Sequence, residues 1–259
     1  MSEPDDADAS VSAPPQHISV AAKQLSRHLA ALPELRMREA VLTERLQALP
    51  PEVAARLAGE LVRRAPTGTP YDVAMLALTS LLEQDRLEYG TRSALYNEAR
   101  AQGDIVLVRL LLSPQDAPVG NPTAAPIRPD LTLGERKSLA RTRRRELLDR
   151  MLRDPDPTVL TILLENPRVT EADVVRLAAR RPTTPELQRV LFRCARFRTR
   201  YEVRRALILN PHTPSDLAAQ LTCLLNAIDL RRVVQDNQLS DAVRASARAQ
   251  LVLITPRPG

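Results

Sequence analysis

Tryptophan is absent from these 259 residues, and only six side chains are aromatic, four Tyr and two Phe. Glycine is scarce too: seven residues, at positions 59, 68, 90, 103, 120, 134 and 259, each standing alone. Phosphate-cradling loops need closely spaced glycines so that the backbone can turn tightly and approach the ligand. Walker-type and Rossmann-type nucleotide sites are therefore excluded at the motif level. No GxSxG elbow is present, so the usual hydrolase signature is missing. Three histidines, His17, His28 and His212, share no metal-ligand spacing, and there is no CxxC or HExxH. No metal and no cofactor are expected.

Long apolar runs are also missing, since none approaches the ~20 residues that span a bilayer. Met1 to Pro15 is acidic and lacks the basic and apolar regions of a signal peptide. A cytoplasmic protein with no membrane partner is expected. In that setting Cys194 and Cys223 read as reduced packing thiols, with a single disulfide as the alternative.

What is present is apolar content of 44%, enough for a core, together with 22 prolines and a net charge of +6. Of 37 basic residues all but Lys23 and Lys137 are arginine. Arginine suggests nucleic-acid binding, but a GC-rich genome favours Arg, Ala and Pro codons together, and all three are abundant. The distribution is more informative. Residues 1–130 carry 13 basic and 17 acidic side chains, net −4, and residues 131–259 carry 24 and 14, net +10. An acidic half and a basic half can dock on each other or attract an acidic partner.

The chain divides by composition. Residues 1–18 read as a disordered acidic tail. From 19 to 112 the periodicity is helical: Ser19 can cap a first helix, Pro33 opens a second, and Pro50-Pro51-Glu52 opens a third. Thr69-Pro70-Tyr71-Asp72 suits another start, with Thr69 as cap, and the helix carries Leu76, Leu78, Leu81 and Leu82. Gly90 is expected to end it, and Gly103 to separate the next two helices. Five prolines mark 113–131 as a linker and the best domain boundary. Short helices then fill 132–255, opened by a capping box at Thr132-Leu133-Gly134-Glu135, and 256–259 is a tail. No alternating strand pattern is found.

The second half repeats its punctuation. Asn166-Pro167-Arg168-Val169-Thr170, Arg181-Pro182-Thr183-Thr184-Pro185 and Asn210-Pro211-His212-Thr213-Pro214 each end an apolar helix before a proline and offer a threonine to cap the next. Val159, Val203 and Val243, separated by 44 and 40 residues, each follow an acid and precede apolar residues at helical spacing. A period of about 40–47 residues characterises HEAT and armadillo arrays. Residues 132–255 therefore resemble a short bacterial HEAT-like array, and look similar also to degenerate leucine-rich variant repeats. Irregular unit lengths and the Asn-Pro turn depart from the standard HEAT pattern. The resemblance implies an all-α protein, an α-solenoid with an N-terminal helical region, whose usual work is binding other macromolecules.

Two basic runs are candidate surfaces. Arg189, Arg193, Arg196, Arg198, Arg200, Arg204 and Arg205 meet one acid, Glu202, and enclose Phe192, Phe197 and Tyr201. Guanidinium groups fork onto phosphates and carboxylates, and neighbouring aromatics can stack on bases. The competing reading makes the aromatics core anchors and the arginines a solvated, acid-paired face. The second run holds Arg136, Lys137, Arg141, Arg143, Arg144 and Arg145, where Arg141 and Arg145 stand at repulsive helical spacing. Asp85 with Glu88 reads as solvated helix ends rather than an acid/base pair, and His212 as a loop residue. With no catalytic motif, a non-enzymatic scaffold that binds another protein, one with an acidic surface, is the leading expectation, and a nucleic-acid-binding HEAT-like module is the alternative. HEAT-like folds include DNA-repair proteins with basic, aromatic grooves, from which a chain without tryptophan departs.

Overall fold

The computed structural model describes residues 15–112 and 131–255, and every regular element among them is helical. The expected linker at 113–130, the tail at 256–259 and residues 1–14 lie outside the described residues. Helix α1 (Pro15–Ala31) starts at a proline, inside the segment read as tail, rather than at Ser19. Ser19 sits within the helix, and its hydroxyl accepts from Arg64 at 3.0 Å. Then come α2 (Leu35–Ala48), α3 (Pro51–Arg64), α4 (Tyr71–Glu83), α5 (Tyr89–Ala101) and α6 (Ile105–Leu111). Thr69 is not a cap, because α4 begins one residue after Pro70, which itself makes no side-chain cap. Gly90 does not end α4 either. Asp85 makes the break, in the left-handed region at φ 50°, and Gly90 lies in the first turn of α5. Gly103 separates α5 from α6 as expected, at φ 70°.

Apolar spacing determines the packing. Helix α4 buries nearly every residue from Tyr71 to Leu82, because it is covered by α1, α2 and α3 on one side and by the second half on the other. At one point two helices approach so closely that only glycine fits: a Cβ on Gly59 of α3 would lie 2.3 Å from Asp104 Oδ2 at the start of α6. That carboxylate caps α6 by accepting from Leu107 N at 3.0 Å.

The second half has nine helices in the described residues: α7 (Leu133–Ala140), α8 (Arg145–Met151), α9 (Pro157–Glu165), α10 (Glu171–Ala179), α11 (Pro185–Arg193), α12 (Tyr201–Ile208), α13 (Ser215–Leu221), α14 (Ala227–Gln235) and α15 (Asp241–Ile254). They fall into threes. In each group the first helix packs on the third: α7 on α9, α10 on α12, and α13 on α15. Val159, Val203 and Val243 are the same position in the three third helices, near the start, and all are buried. The 44- and 40-residue spacing of these valines therefore coincides with successive groups of three helices.

Capping follows the sequence closely in the first two groups. Thr132 accepts from Glu135 N while the Glu135 carboxylate accepts from Thr132 N at 2.8 Å, and Thr170 forms the same reciprocal box with Asp173. Thr184 caps α11. Thr213 does not cap α13. Its hydroxyl turns back and donates to Leu207 O at 2.7 Å, so the turn is tied to the helix it leaves.

The Asn-Pro turns have a role beyond stopping helices. Asn166, after α9, donates through Nδ2 to Ala140 O (2.9 Å) and Thr142 O (2.8 Å) at the end of α7, and accepts from Arg168 N. Asn210, after α12, donates to Ala178 O (2.7 Å) and Arg180 O (2.9 Å) at the end of α10, and accepts from His212 N. Each buried asparagine thus fastens the third helix of its group to the orphan carbonyls of the first.

The halves share one hydrophobic core: α13 packs on α4, and α15 on α3 and α6. Cys194 and Cys223 are both free thiols, and burial pushes Cys223 up to about 12, which makes it inert. We expect Asn210→Ala to lower stability by about 2 kcal/mol, because Arg180 O loses its donor and Ala178 O keeps only Gln188 Nε2 at 3.4 Å, and Asn210→Asp to cost more because it points an acceptor at acceptors. Urea denaturation of the two variants measures both.

Candidate anion-binding groove

Arginines 189 to 205 do not form one surface. Helix α11 directs Arg189 and Arg193 at the first half, where both pair with the buried carboxylate of Glu83 at the end of α4, at 3.1 and 2.7 Å. Arg189 also forks onto Asp216 at 3.0 Å. Burial lowers the Arg189 pKa, but Asp216 and then Glu83 more than reverse this. Arg204 is buried 3.8 Å from Asp72 of α4, and its pKa is lowered by burial against the pull of that aspartate. Arg198 is buried near Arg38 and Glu39 of α2, and burial and then the Arg38 charge lower its pKa. These four arginines belong to the seam between the halves.

The aromatics follow the core-anchor reading. Phe192 and Phe197 are buried. The Tyr201 hydroxyl donates to Asp229 at 2.6 Å, and burial together with that carboxylate pushes its pKa up to about 12. The two phenylalanine rings are thus withdrawn from any base, and the half-buried Tyr201 is tied down by its hydroxyl. Arg205 pairs with Glu202 and Asp229, at 2.9 and 3.1 Å, and Arg200 stands 3.7 Å from Glu171.

The remaining candidates gather elsewhere. Arg196 crosses to the Asn166 turn, donating to Asn166 O at 3.0 Å and lying over the Phe197 ring. Arg141, Arg143 and Arg144 are exposed in the α7–α8 connection that Asn166 holds by its backbone. Arg141 donates to Lys137 O, at 3.2 Å. Arg136 is instead satisfied by Asp154 at 2.6 Å.

Arg145 opens a groove of about 650 Å³ between α8 and α10, lined by Arg145, Asp149, Leu152, Arg153, Asp173, Arg176, Leu177, Arg180 and Arg181. Five arginines thus face two aspartates. Asp173, buried, is the hub. It accepts both arms of Arg145 (2.7 and 2.5 Å) and one of Arg176, plus the Thr170 amide and hydroxyl at 2.9 and 2.8 Å. The Arg145 guanidinium is the main reason its carboxyl lies well below the usual carboxylate range. Asp173 and then Asp149 raise Arg145 in turn.

Charge balance ends at the other end of the groove. Arg180 donates to Arg153 O at 3.1 Å, and Arg181 to Gln238 Oε1 and Leu209 O, both at 2.6 Å. Among the described residues, Arg153, Arg180 and Arg181 have no carboxylate partner. Carbonyl contacts fix two of these guanidinium groups in place without neutralising them. Of the residues picked from sequence only Arg145 lines this groove. Arg153, Arg176, Arg180 and Arg181 were missed, although Arg176 in α10 and Arg180 and Arg181 just after its end already form a cluster in the sequence.

Among the described residues no group of three His, Cys, Asp or Glu side chains is arranged to hold a metal, and no helix is long and apolar enough to cross a membrane. No family model, curated protein or solved structure matches the chain.

Two tests follow from the geometry. Arg189→Met with Arg193→Met leaves Glu83 buried and unpaired, and should cost about 3 kcal/mol or more. Adding Glu83→Gln should restore most of it, again by urea denaturation, whereas a solvated arginine face would give less than about 1 kcal/mol. Asp173 has a folded pKa below its unfolded value, so its contribution is full above pH of about 4 and is lost as pH falls through that region toward the folded pKa. The stability gap between the wild type and Asp173→Asn should therefore be widest near neutral pH and narrow below about pH 4.

Proposed function

We propose that the chain is a non-enzymatic scaffold or adaptor, an α-solenoid of three-helix units whose α8–α10 groove holds an acidic segment of another protein. The recurring contact of first with third helix, and the Asn fastening repeated in two units, support the solenoid reading. The observation that carries the binding reading is the trio Arg153, Arg180 and Arg181, none of them paired with a carboxylate among the described residues and two of them fixed by carbonyl contacts. Such preplaced guanidinium groups favour a carboxylate-bearing partner, since little side-chain freedom is lost on binding.

Nucleic acid remains the competing ligand for arginine, but it fits less well. Phe192, Phe197 and Tyr201 are engaged by the core and by Asp229, and no aromatic side chain lines the groove, so a nucleic acid there would meet phosphate contacts without base stacking. The test is fluorescence anisotropy with a labelled oligoglutamate peptide and a labelled duplex DNA. The peptide should bind, and Arg153→Ala/Arg180→Ala/Arg181→Ala should weaken it at least tenfold. If the duplex binds more tightly than the peptide, with a log–log salt slope near −0.9 per phosphate contact, nucleic acid is the ligand instead.

A further inference from the structure

The basic groove does not end at Arg181. That side chain is also a wall of a second furrow, about 300 Å³, between α10 and α12, lined by Val175, Ala179, Arg181, Glu202, Arg205, Ala206, Leu209 and Asn210. The two furrows flank α10 and differ in chemistry. In the first, three uncompensated arginines stand over Leu152 and Leu177. In the second, Glu202 and Arg205 neutralise each other at 2.9 Å, leaving Val175, Ala179, Ala206 and Leu209 as a mostly apolar floor. Arg181 stands where they meet, fixed from two sides by Gln238 and Leu209.

We propose that this double furrow recognises an extended peptide segment of a partner protein in which acidic residues adjoin apolar ones. The acidic part lies among Arg153, Arg180 and Arg181, and the apolar part enters the α10–α12 furrow. The inference rests on the acidic-partner reading above and gives it a sequence requirement. Charge complementarity fixes the first part: the first furrow holds three arginines without a counter-charge, so it rewards carboxylates and repels basic segments. The second part follows from self-neutralisation. Apart from Arg181 at its mouth, the charges of this furrow are paired, Glu202 with Arg205 and Arg205 with Asp229, so its interior gains little from a further charge but gains from burying aliphatic side chains. A peptide reaching across α10 from one furrow to the other needs on the order of 20 Å. That corresponds to about six residues of extended chain.

The experiment is anisotropy titration of the full chain with labelled six-residue cores flanked by Gly-Ser: three Glu joined to three Leu, in both orders, six Glu, and three Glu joined to three Ser. At least one mixed acidic–apolar peptide should bind tenfold or more tightly than the Glu–Ser peptide, and more tightly than six Glu at 0.3 M salt, where exposed charge pairing is screened. Arg181→Glu should weaken it at least tenfold. Ala179→Gln, at an exposed position on the second furrow, should weaken the mixed peptide but leave six Glu unchanged. Arg141→Ala/Arg143→Ala/Arg144→Ala, on the separate loop edge, should change neither. Thermal melts confirm that each variant is folded. Equal binding of six Glu and the mixed peptides, or insensitivity to Ala179→Gln, overturns the two-part recognition and leaves the acidic-partner reading standing. Loss of binding only in the loop-edge variant moves the site away from the furrows. Failure of every acidic peptide to bind the wild type overturns both readings.

Discussion

A carboxylate deprived of water must be met by a cation, and that requirement governs where arginine goes in this molecule. Glu83 and Asp173 are the two clearest cases. Each has a buried side chain, and each takes two arginines. Glu83 binds helix α11 to the end of α4 and so ties the basic half to the acidic half. Asp173 binds α8 to α10 and so builds the floor and one wall of the groove. The cost of desolvating such ions is offset only when their lone pairs are well occupied. At Asp173 they are: the capping hydroxyl and amide of Thr170 complete the set.

The same logic separates structural from available charge. Once the buried acids have taken Arg145, Arg189 and Arg193, the arginines at the far end of the groove are left facing solvent with no acid nearby. Two of these guanidinium groups, those of Arg180 and Arg181, are nevertheless held by carbonyl oxygens just beyond helix ends. Main-chain acceptors position a cation without cancelling it, which distinguishes a preplaced charge from a merely solvated one.

The helices and most of their ends were legible in the sequence, because the signals are local. Thr132 and Thr170 sit three residues before an acid, and Pro51, Pro157 and Pro185 stand at helix starts. The 44-residue spacing of valines also survived into the structure, though as triplets of helices. Legibility failed where the partner is remote. Arg189 and Glu83 are separated by 106 residues, so an arginine-rich run that looks like one surface along the chain is drawn into several environments by acids that no window contains. It failed as well at Thr69 and Thr213, where a Thr-Pro pair promised a cap but the helix starts one residue later and the hydroxyl of Thr213 serves the preceding helix.

The asparagines after α9 and α12 address only backbone groups. Such a fastening does not engage the side chains that follow α7 and α10. Arginine has accumulated there, at 141, 143, 144, 180 and 181. The surface chemistry of the molecule can thus be rewritten at the points where its framework is most firmly held.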